Sequence, residues 1–186
     1  SERVEAFLAS EDTAKRFTWP FPMAVFGTLR KAQGNNGLMH RARVEDHRCA
    51  FLPHFLAHGL SVSCLEDSSA PFEVFYYKPE EWAKMLYFVD RLEGFSPEHA
   101  HGRTNGGYYY RTLAWLRLLP EAHECGWFPA AERVNLWGER NMQIAPEKWA
   151  EYERVPCWIY SNMNSNNNAS KLKNSPVIWP TGNKGN

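Results

Sequence analysis

The side chain best suited to acid–base chemistry is Glu93, at the end of an amphipathic stretch. Apolar residues recur there at spacings of three and four, which is typical of a helix face packed on a core. This face comprises Trp82, Met85, Leu86 and Val89. Because Glu93 follows Val89 by four residues, a helix that includes it would point the carboxylate inward. Burial raises a carboxyl pKa toward neutrality, as a catalyst near pH 7 requires.

A second interpretation of Glu93 stays open in the sequence. Gly94 follows it directly, and a helix that ends at Leu92 would leave the carboxylate turned toward solvent. The end of a helix can be placed from sequence only to within about two residues. The pattern therefore makes Glu93 a candidate without deciding which way it points.

A second candidate feature is the loop that begins at Gly27. A short apolar run from Met23 to Phe26 precedes it, which is typical of a buried strand that leads into a loop. Glycine permits a sharp turn, and backbone N–H groups in such a loop can bind an oxyanion. Arg30 after the loop, and Arg111 on a later strand, could each offer two donors to a carboxylate. Alone, a strand followed by Gly-Thr is weak evidence of a site.

Three segments, in this order, resemble motifs of the gamma-glutamylcyclotransferase superfamily. The first is Phe26-Gly27-Thr28-Leu29-Arg30, which is similar to that family's tyrosine-glycine-serine/threonine-leucine motif. The second is Asp90-Arg91-Leu92-Glu93-Gly94-Phe95, an acidic helix end that closes on Glu-Gly-aromatic. The third is the strand segment Tyr109-Tyr110-Arg111. The resemblance covers roughly residues 22–118 and leaves both ends of the chain unexplained.

The resemblance implies a small mixed β-barrel with flanking helices and a small-molecule pocket. It implies that Glu93 deprotonates the α-amino group of a γ-glutamyl substrate, whose nitrogen then attacks the γ-carbonyl. An amine leaves as 5-oxoproline forms, and backbone N–H groups of the loop would stabilise the oxyanion. The substrate-binding residues expected on this basis are Phe26, Gly27, Thr28, Leu29, Arg30, Tyr110 and Arg111. No metal or cofactor is expected.

Phe26 departs from the family pattern, which has tyrosine at the matching position. Any hydrogen bond from that hydroxyl to the substrate or to the glutamate is therefore absent. Two hypotheses stay open. One is an enzyme that releases 5-oxoproline from a γ-glutamyl amine or peptide. The other is a non-catalytic module that binds or sequesters a small ligand in the same pocket.

Other reactive side chains form weaker patterns. His54 and His58 have the spacing of two helical metal ligands, but a neighbouring proline favours a strand or loop, and no third ligand is evident. Cys49 lies two residues after His47, on the same face of a strand, yet nothing in the sequence activates a thiol there. The four cysteines are scattered without a C-x-x-C pair, which favours reduced thiols.

The elements that must position these residues are mainly strands. Strand character is found at 43–51, 55–64, 72–77 and 108–119, with a last short strand at 156–160. One long helix is predicted over 79–92, with Pro79 in its first turn and Gly94 as its stop. Because these elements do not alternate as β-α units, the order predicts an α+β fold or a small barrel with flanking helices.

The chain of 186 residues fits one domain with additions. Residues 1–20 are predicted as an N-terminal helical extension. Residues 21–160 are predicted as the domain, with an insertion near 120–150. Residues 161–186 form an Asn/Ser-rich tail whose last apolar residues could dock back onto the domain.

Two segments could reach the pocket from outside. The loop with His99-x-His101 is flanked by glycines and could act as a lid, or be a plain surface connection. The insertion near 120–150 could cover the pocket or bind a partner.

Composition narrows the choice of partner. Lys plus Arg and Asp plus Glu are both 21, so no overall positive charge favours nucleic acid. No apolar stretch reaches the roughly 18 to 20 residues that span a bilayer, and the N-terminus lacks the apolar run of a signal peptide. A cytoplasmic protein that binds a small molecule is expected, while the oligomeric state is left open.

Overall fold

The computed structural model describes residues 1–96, 109–120, 138–161 and 171–179. The helices are α1 (Glu2–Ala9), α2 (Thr13–Arg16), α3 (Asn36–Met39), α4 (Pro79–Glu93) and a 3-10 helix over Pro146–Glu151. The strands are β1 (Met23–Val25), β2 (Asp46–His58), β3 (Ser61–Tyr76), β4 (Tyr110–Leu118), β5 (Glu139–Arg140), β6 (Arg154–Ser161) and β7 (Val177–Trp179).

Five of these strands close into a mixed barrel. The hydrogen-bonded order is β2-β3-β1-β6-β4, and pairing of β4 with β2 closes the ring. β1 and β6 run parallel, and the other neighbours in the ring run antiparallel. β5 pairs with the end of β2, and β7 pairs with β4. The predicted α+β class, a small mixed barrel with flanking helices, is confirmed.

Apolar side chains fill both faces of the barrel wall. Phe72 and Val74 of β3 and Leu116 of β4 belong to one buried cluster. Phe75 of β3 and Trp158 of β6 belong to another, which packs against α4 and the N-terminal segment. This division follows from the period of two along a strand, which sends successive side chains to opposite faces. The sheet is thus covered on both sides where α4 crosses it.

Two segments predicted as separate strands form one continuous strand, β2, so the predicted break was wrong. A β-bulge carries the strand past the proline, because the register with β3 shifts between Pro53 and Phe55. His54 lies in the bulge with a left-handed φ of 67°. The turn to β3 comes at Gly59, with a φ of 58°, inside the second predicted strand.

Helix α4 confirms the predicted helix and is one residue longer. Pro79 occupies its first turn, where a missing N–H is tolerated. Gly94 ends it in the left-handed conformation, with φ 71°, and its N–H donates to the carbonyls of Arg91 and Asp90. The helix therefore includes Glu93 as its last residue.

The N-terminal segment and strand β7 pack on the outside of the barrel. Phe7 and Phe17 of the helical N-terminal extension are buried in the cluster that packs against α4. In β7, Trp179 is paired with Leu113 of β4, so the apolar end of the tail docks back onto the domain. In the described part of the insertion, residues 138–151 form β5 and the 3-10 helix.

Several predictions concern residues outside the described ranges. These are the loop with His99 and His101, residues 121–137 of the insertion, and residues 162–170 and 180–186 of the tail. Among the described helices, none is long and apolar enough to cross a membrane.

Cys49 is disulfide-bonded, whereas Cys64 and Cys157 are free. The prediction of reduced thiols was therefore wrong for Cys49. The spacing of the cysteines along the chain did not indicate this bond, because a barrel brings together residues that are distant in sequence. Disulfides persist mainly in oxidising compartments, so this bond does not favour the predicted cytoplasmic location.

Candidate functional site

A cavity of about 220 Å³ opens beside the end of β1. Its wall is built by β1 and the loop after it, the β2–β3 turn, the end of α4, and residues next to or within β4 and β6. The lining residues are Ala24, Val25, Phe26, Gly27, Thr28, Leu29, Asn35, Leu60, Leu92, Glu93, Tyr109 and Tyr160. The cavity thus brings together residues of all three sequence motifs, with Tyr109 from the third.

Two arginines bind the first carbonyls of the loop after β1. The Nη1 group of Arg140 donates to the carbonyl of Phe26 at 2.7 Å. The backbone N–H of Arg30 and its Nε group donate to the carbonyl of Gly27 at 3.1 and 3.0 Å. Both carbonyls are therefore directed at protein donors.

Two asparagines bind the next two carbonyls. The backbone N–H of Asn35 donates to the carbonyl of Thr28 at 3.0 Å, and its Nδ2 group donates to the Thr28 hydroxyl at 2.8 Å. The Nδ2 group of Asn36 donates to the carbonyl of Leu29 at 2.9 Å. Four successive carbonyls of the loop thus have protein donors, and these hydrogen bonds fix the conformation of the loop.

The N–H groups of the same loop differ from its carbonyls in their hydrogen bonding. Within the described ranges, no acceptor is bonded to the backbone N–H of Gly27, Thr28 or Leu29. All three residues line the cavity. Consecutive N–H groups without an internal partner form a concave donor site for an anion.

Gly27 serves this site through its lack of a side chain. Its φ is not in the left-handed region, so the conformation itself does not require glycine. A Cβ atom built on Gly27 would meet no other atom within 4 Å. The expected role in a sharp turn is therefore replaced by a simpler one, since a bare backbone leaves open space beside the N–H groups.

Glu93 reaches the cavity from the last turn of α4 and is half-buried. Burial, and secondarily the negative charge of Asp90, raise the pKa of its carboxyl to about 7. In the described part of the chain, no donor is hydrogen-bonded to this carboxyl. Near neutral pH, Glu93 can therefore accept or release a proton beside the loop N–H groups.

Asp90, one turn before Glu93, belongs to a buried network. Its carboxylate is bonded to Arg111 by two hydrogen bonds, from Nε at 3.0 Å and from Nη2 at 3.2 Å. The hydroxyl of Tyr160 donates to the same carboxylate at 2.5 Å. Burial raises the pKa of Asp90 although the charge of Arg111 acts in the opposite direction. This network ties the end of α4 to β4 and β6.

Three residues expected to bind substrate do not line the cavity. Arg111 has no exposed surface, and its remaining donor, Nη1, is bonded to the carbonyl of Phe17 at 2.8 Å. Arg30 is buried, and the charge of Glu73 partly offsets the desolvation that lowers its pKa. Tyr110 is buried on β4. Arg30 and Arg111 support the cavity wall from behind.

Phe26 lies among aromatic rings at the position where the similar sequence motif has a tyrosine. Phe26 packs against Phe72 and Tyr109, with ring centroids 5.5 and 6.5 Å apart. Two phenols line the cavity, but their hydroxyls are already bonded, that of Tyr109 to the carbonyl of Leu60 and that of Tyr160 to Asp90. Neither of these two hydroxyls therefore stands in for a hydroxyl at Phe26.

Sequence reasoning missed Tyr109, Tyr160 and Arg140 as residues of the site. Tyr160 lies opposite Arg111 in the β4–β6 register, so both side chains share a face, but this pairing cannot be read from the sequence. Tyr109 lies two residues before Arg111 and follows the same period. No local signal indicates Arg140, which lies within the insertion and is far from the loop in sequence.

The weaker patterns do not form alternative sites. His54 lies in the β2 bulge with Nδ1 2.6 Å from the carbonyl of Glu66. The Nε2 atom of His47 is 2.9 Å from a carboxylate oxygen of Glu73, and Cys49 is in a disulfide. Across the described ranges, no group of three or more His, Cys, Asp or Glu residues could hold a metal ion.

Comparison with protein-family models and with curated proteins finds no match to this chain. The function of the cavity is therefore inferred from its own residues and from the sequence motifs that line it.

Proposed function

We propose that this protein is a gamma-glutamylcyclotransferase-like enzyme that releases 5-oxoproline from a γ-glutamyl amine or peptide. The observation that carries the proposal is the placement of Glu93, with a pKa of about 7, in one cavity with three backbone N–H groups that have no acceptor within the described ranges. An acid–base carboxyl facing an oxyanion site is the minimum that such an intramolecular acyl transfer needs.

The reaction can be written with the residues of the cavity alone. Ionised Glu93 accepts a proton from the substrate α-amino group, and the nitrogen attacks the γ-carbonyl carbon. The N–H groups of Gly27, Thr28 and Leu29 stabilise the resulting oxyanion. Glu93 then donates its proton to the leaving nitrogen, the γ-amide C–N bond breaks, and 5-oxoproline and the free amine depart.

This sequence of steps needs no enzyme nucleophile, because the attacking nitrogen belongs to the substrate. The cavity has to hold the amino group and the γ-carbonyl close together. This lowers the entropic part of the activation free energy. A pKa near 7 lets Glu93 serve as base in the first step and as acid in the second.

The leaving amine would project toward the cavity mouth. Leu60 and Leu92 line the cavity and are 45% and 43% exposed, so they form an apolar rim. The substrate panel should therefore pair γ-glutamyl amines that carry apolar groups with others that carry polar or charged groups.

The test is an assay of 5-oxoproline release across this panel by the native protein, Glu93→Gln and Glu80→Gln. Glu80 is an exposed acid in the first turn of the same helix, so it controls for loss of a surface charge. We expect turnover by the native protein and by Glu80→Gln, and a loss of about 10²- to 10⁴-fold in Glu93→Gln.

A different outcome would support a binding module. Phe26 favours this alternative, since it lacks the hydroxyl of the family motif. Absence of turnover across the panel, together with saturable binding of γ-glutamyl compounds that survives Glu93→Gln, would reject the enzyme and leave the ligand-binding function.

A further inference from the structure

Arg140 is a buried cation. It is 5% exposed, and within the described ranges no carboxylate pairs with it and its Nε group has no hydrogen-bond acceptor. Burial, and secondarily the charge of Arg30, lower its pKa to about 10. A buried, uncompensated guanidinium destabilises a fold, so a role that an apolar side chain could not fill is needed to explain it.

The two Nη groups of Arg140 join two walls of the cavity. Nη1 donates to the carbonyl of Phe26 at 2.7 Å, in the loop after β1. Nη2 donates to the carbonyl of Gly59 at 3.0 Å, in the β2–β3 turn next to Leu60. A planar guanidinium can hold two acceptors in a set geometry, which a lysine ammonium cannot do as rigidly.

The bond to Phe26 has a consequence for the next N–H group. In a trans peptide, the C=O and N–H bonds point in opposite directions. Because Arg140 holds the carbonyl of Phe26 and does not line the cavity, the N–H of Gly27 points away from the arginine. Arg30 acts in the same way on the next peptide, through the carbonyl of Gly27.

We propose that Arg140 is a positioning residue for the reaction, which orients the Phe26–Gly27 peptide so that its N–H faces the reacting oxygen. The kinetic effect of this inference rests on the proposed function. The orientation of the peptide does not depend on that function. The insertion thus returns to the domain with a residue that completes the oxyanion site.

The kinetic test uses Arg140→Lys, with Arg117→Gln as a matched control. Arg117 is a half-buried arginine of β4 that also donates to a backbone carbonyl, that of Tyr152 at 2.8 Å, and does not line the cavity. We expect kcat for 5-oxoproline release to fall about 10- to 100-fold in Arg140→Lys, with KM changed less than about threefold. A merely structural role would not lower kcat while leaving KM nearly unchanged. Arg117→Gln should match the native protein.

A second readout does not depend on turnover. In ¹H–¹⁵N spectra, adding 5-oxoproline to the native protein should shift the amide signals of Gly27 and Thr28, and the Gly27 shift should fall at least by about half in Arg140→Lys. If the native protein shows these shifts but no turnover, the proposed function fails and the role of Arg140 stands. If the Gly27 amide does not respond in the native protein, or responds equally in the variant, the role of Arg140 is rejected.

A folding defect would also be informative. If Arg140→Lys does not fold, Arg140→Met fills similar space without the paired donors and enters the same two measurements, with the same expected losses. If neither variant folds, the guanidinium serves the fold first and the proposal is overturned.

Discussion

At the scale of single residues, Glu93 combines two properties that oppose each other. Its position in the cavity makes it a suitable base, but the same burial penalises its ionised form. The sequence pattern that singled it out was a helical stripe, and the stripe is correct because α4 continues through Glu93. Stability is thus given up at the residue proposed to act on the substrate.

The pH dependence of stability follows from the raised pKa of Glu93. The folded pKa of about 7 exceeds the ordinary 4.5, so the contribution of this group is fully present below about pH 4.5 and is lost as pH rises through about 7. From pH 5 to pH 8 we expect it to lower the free energy of unfolding by about 1 to 3 kcal/mol. Glu93→Gln should lack this loss and be the more stable protein at pH 8.

Urea unfolding at pH 5, 6, 7 and 8 measures this difference, with Glu80→Gln as the control that keeps the native slope. Activity should change in the opposite direction, since kcat/KM depends on ionised Glu93 and should rise through an apparent pKa near 7. Equal pH slopes for the native protein and Glu93→Gln would contradict the assigned pKa.

At the scale of elements, the end of α4 is held by the ion pair between Asp90 and Arg111. Asp90 was predicted only as part of a motif, and Arg111 as a ligand for substrate. Instead, the guanidinium is enclosed by three aromatic rings, those of Trp158, Phe95 and Phe17, at 4.7, 5.0 and 5.5 Å. The pair therefore joins helix, sheet and N-terminal segment, and through α4 it sets the position of Glu93.

Asp90→Asn tests this connection. Because Arg111 is fully buried, removal of its partner leaves a charge without compensation, and we expect a loss of about 3 to 5 kcal/mol in the free energy of unfolding. The double variant Asp90→Asn/Arg111→Met removes that charge and should recover much of the loss. Denaturant unfolding followed by circular dichroism measures both.

The control is Glu81→Gln, which breaks the exposed ion pair with Lys84 at 3.1 Å on the same helix. It should change stability little, because solvent screens such pairs. If Asp90→Asn is no more destabilising than Glu81→Gln, the buried pair does not hold the helix end.

At the scale of the whole molecule, helix α1 and strand β7 meet over the outer face of the barrel. Phe7 of α1 has its ring edge-on to Trp158 of β6 and to Trp179 of β7, with centroids 5.7 and 5.3 Å apart. The carbonyl of Phe17 accepts a hydrogen bond from Arg111. The N-terminal extension is therefore part of the packed domain and contributes to the network behind the site.

Phe7→Ala measures how much this packing contributes. Phe7 is fully buried, so its truncation should lower the free energy of unfolding by about 3 to 5 kcal/mol. Leu8→Ala is the matched control, because Leu8 is the next residue of α1 and is 43% exposed; we expect a change within about 0.5 kcal/mol. Thermal unfolding compares the two, and similar effects would mean that α1 is not docked.

By itself, the sequence determined the main helix and the general fold class of this protein, but not the bounds of β2 and β3. Helix α4 could be predicted because its signals are local, with Pro79 at one end, Gly94 at the other and an apolar stripe between them. The same stripe made Glu93 a candidate, and the structure shows that the helix includes it. Strand character and the absence of β-α alternation indicated an α+β fold or a small barrel, and the mixed barrel itself was expected mainly from the resemblance of the three motifs.

The tertiary structure alone decided which distant residues meet. Arg140 reaches the loop of Phe26 across 114 residues, and Tyr160 reaches Asp90 across 70. The β2–β4 pairing that closes the barrel and the disulfide of Cys49 are contacts of the same kind. Periodicity and helix caps describe a residue's neighbours along the chain, whereas these contacts depend on how all elements pack at once. Glu93 could therefore be named as a candidate from sequence, but its place in the cavity and the groups that orient the loop after β1 could not.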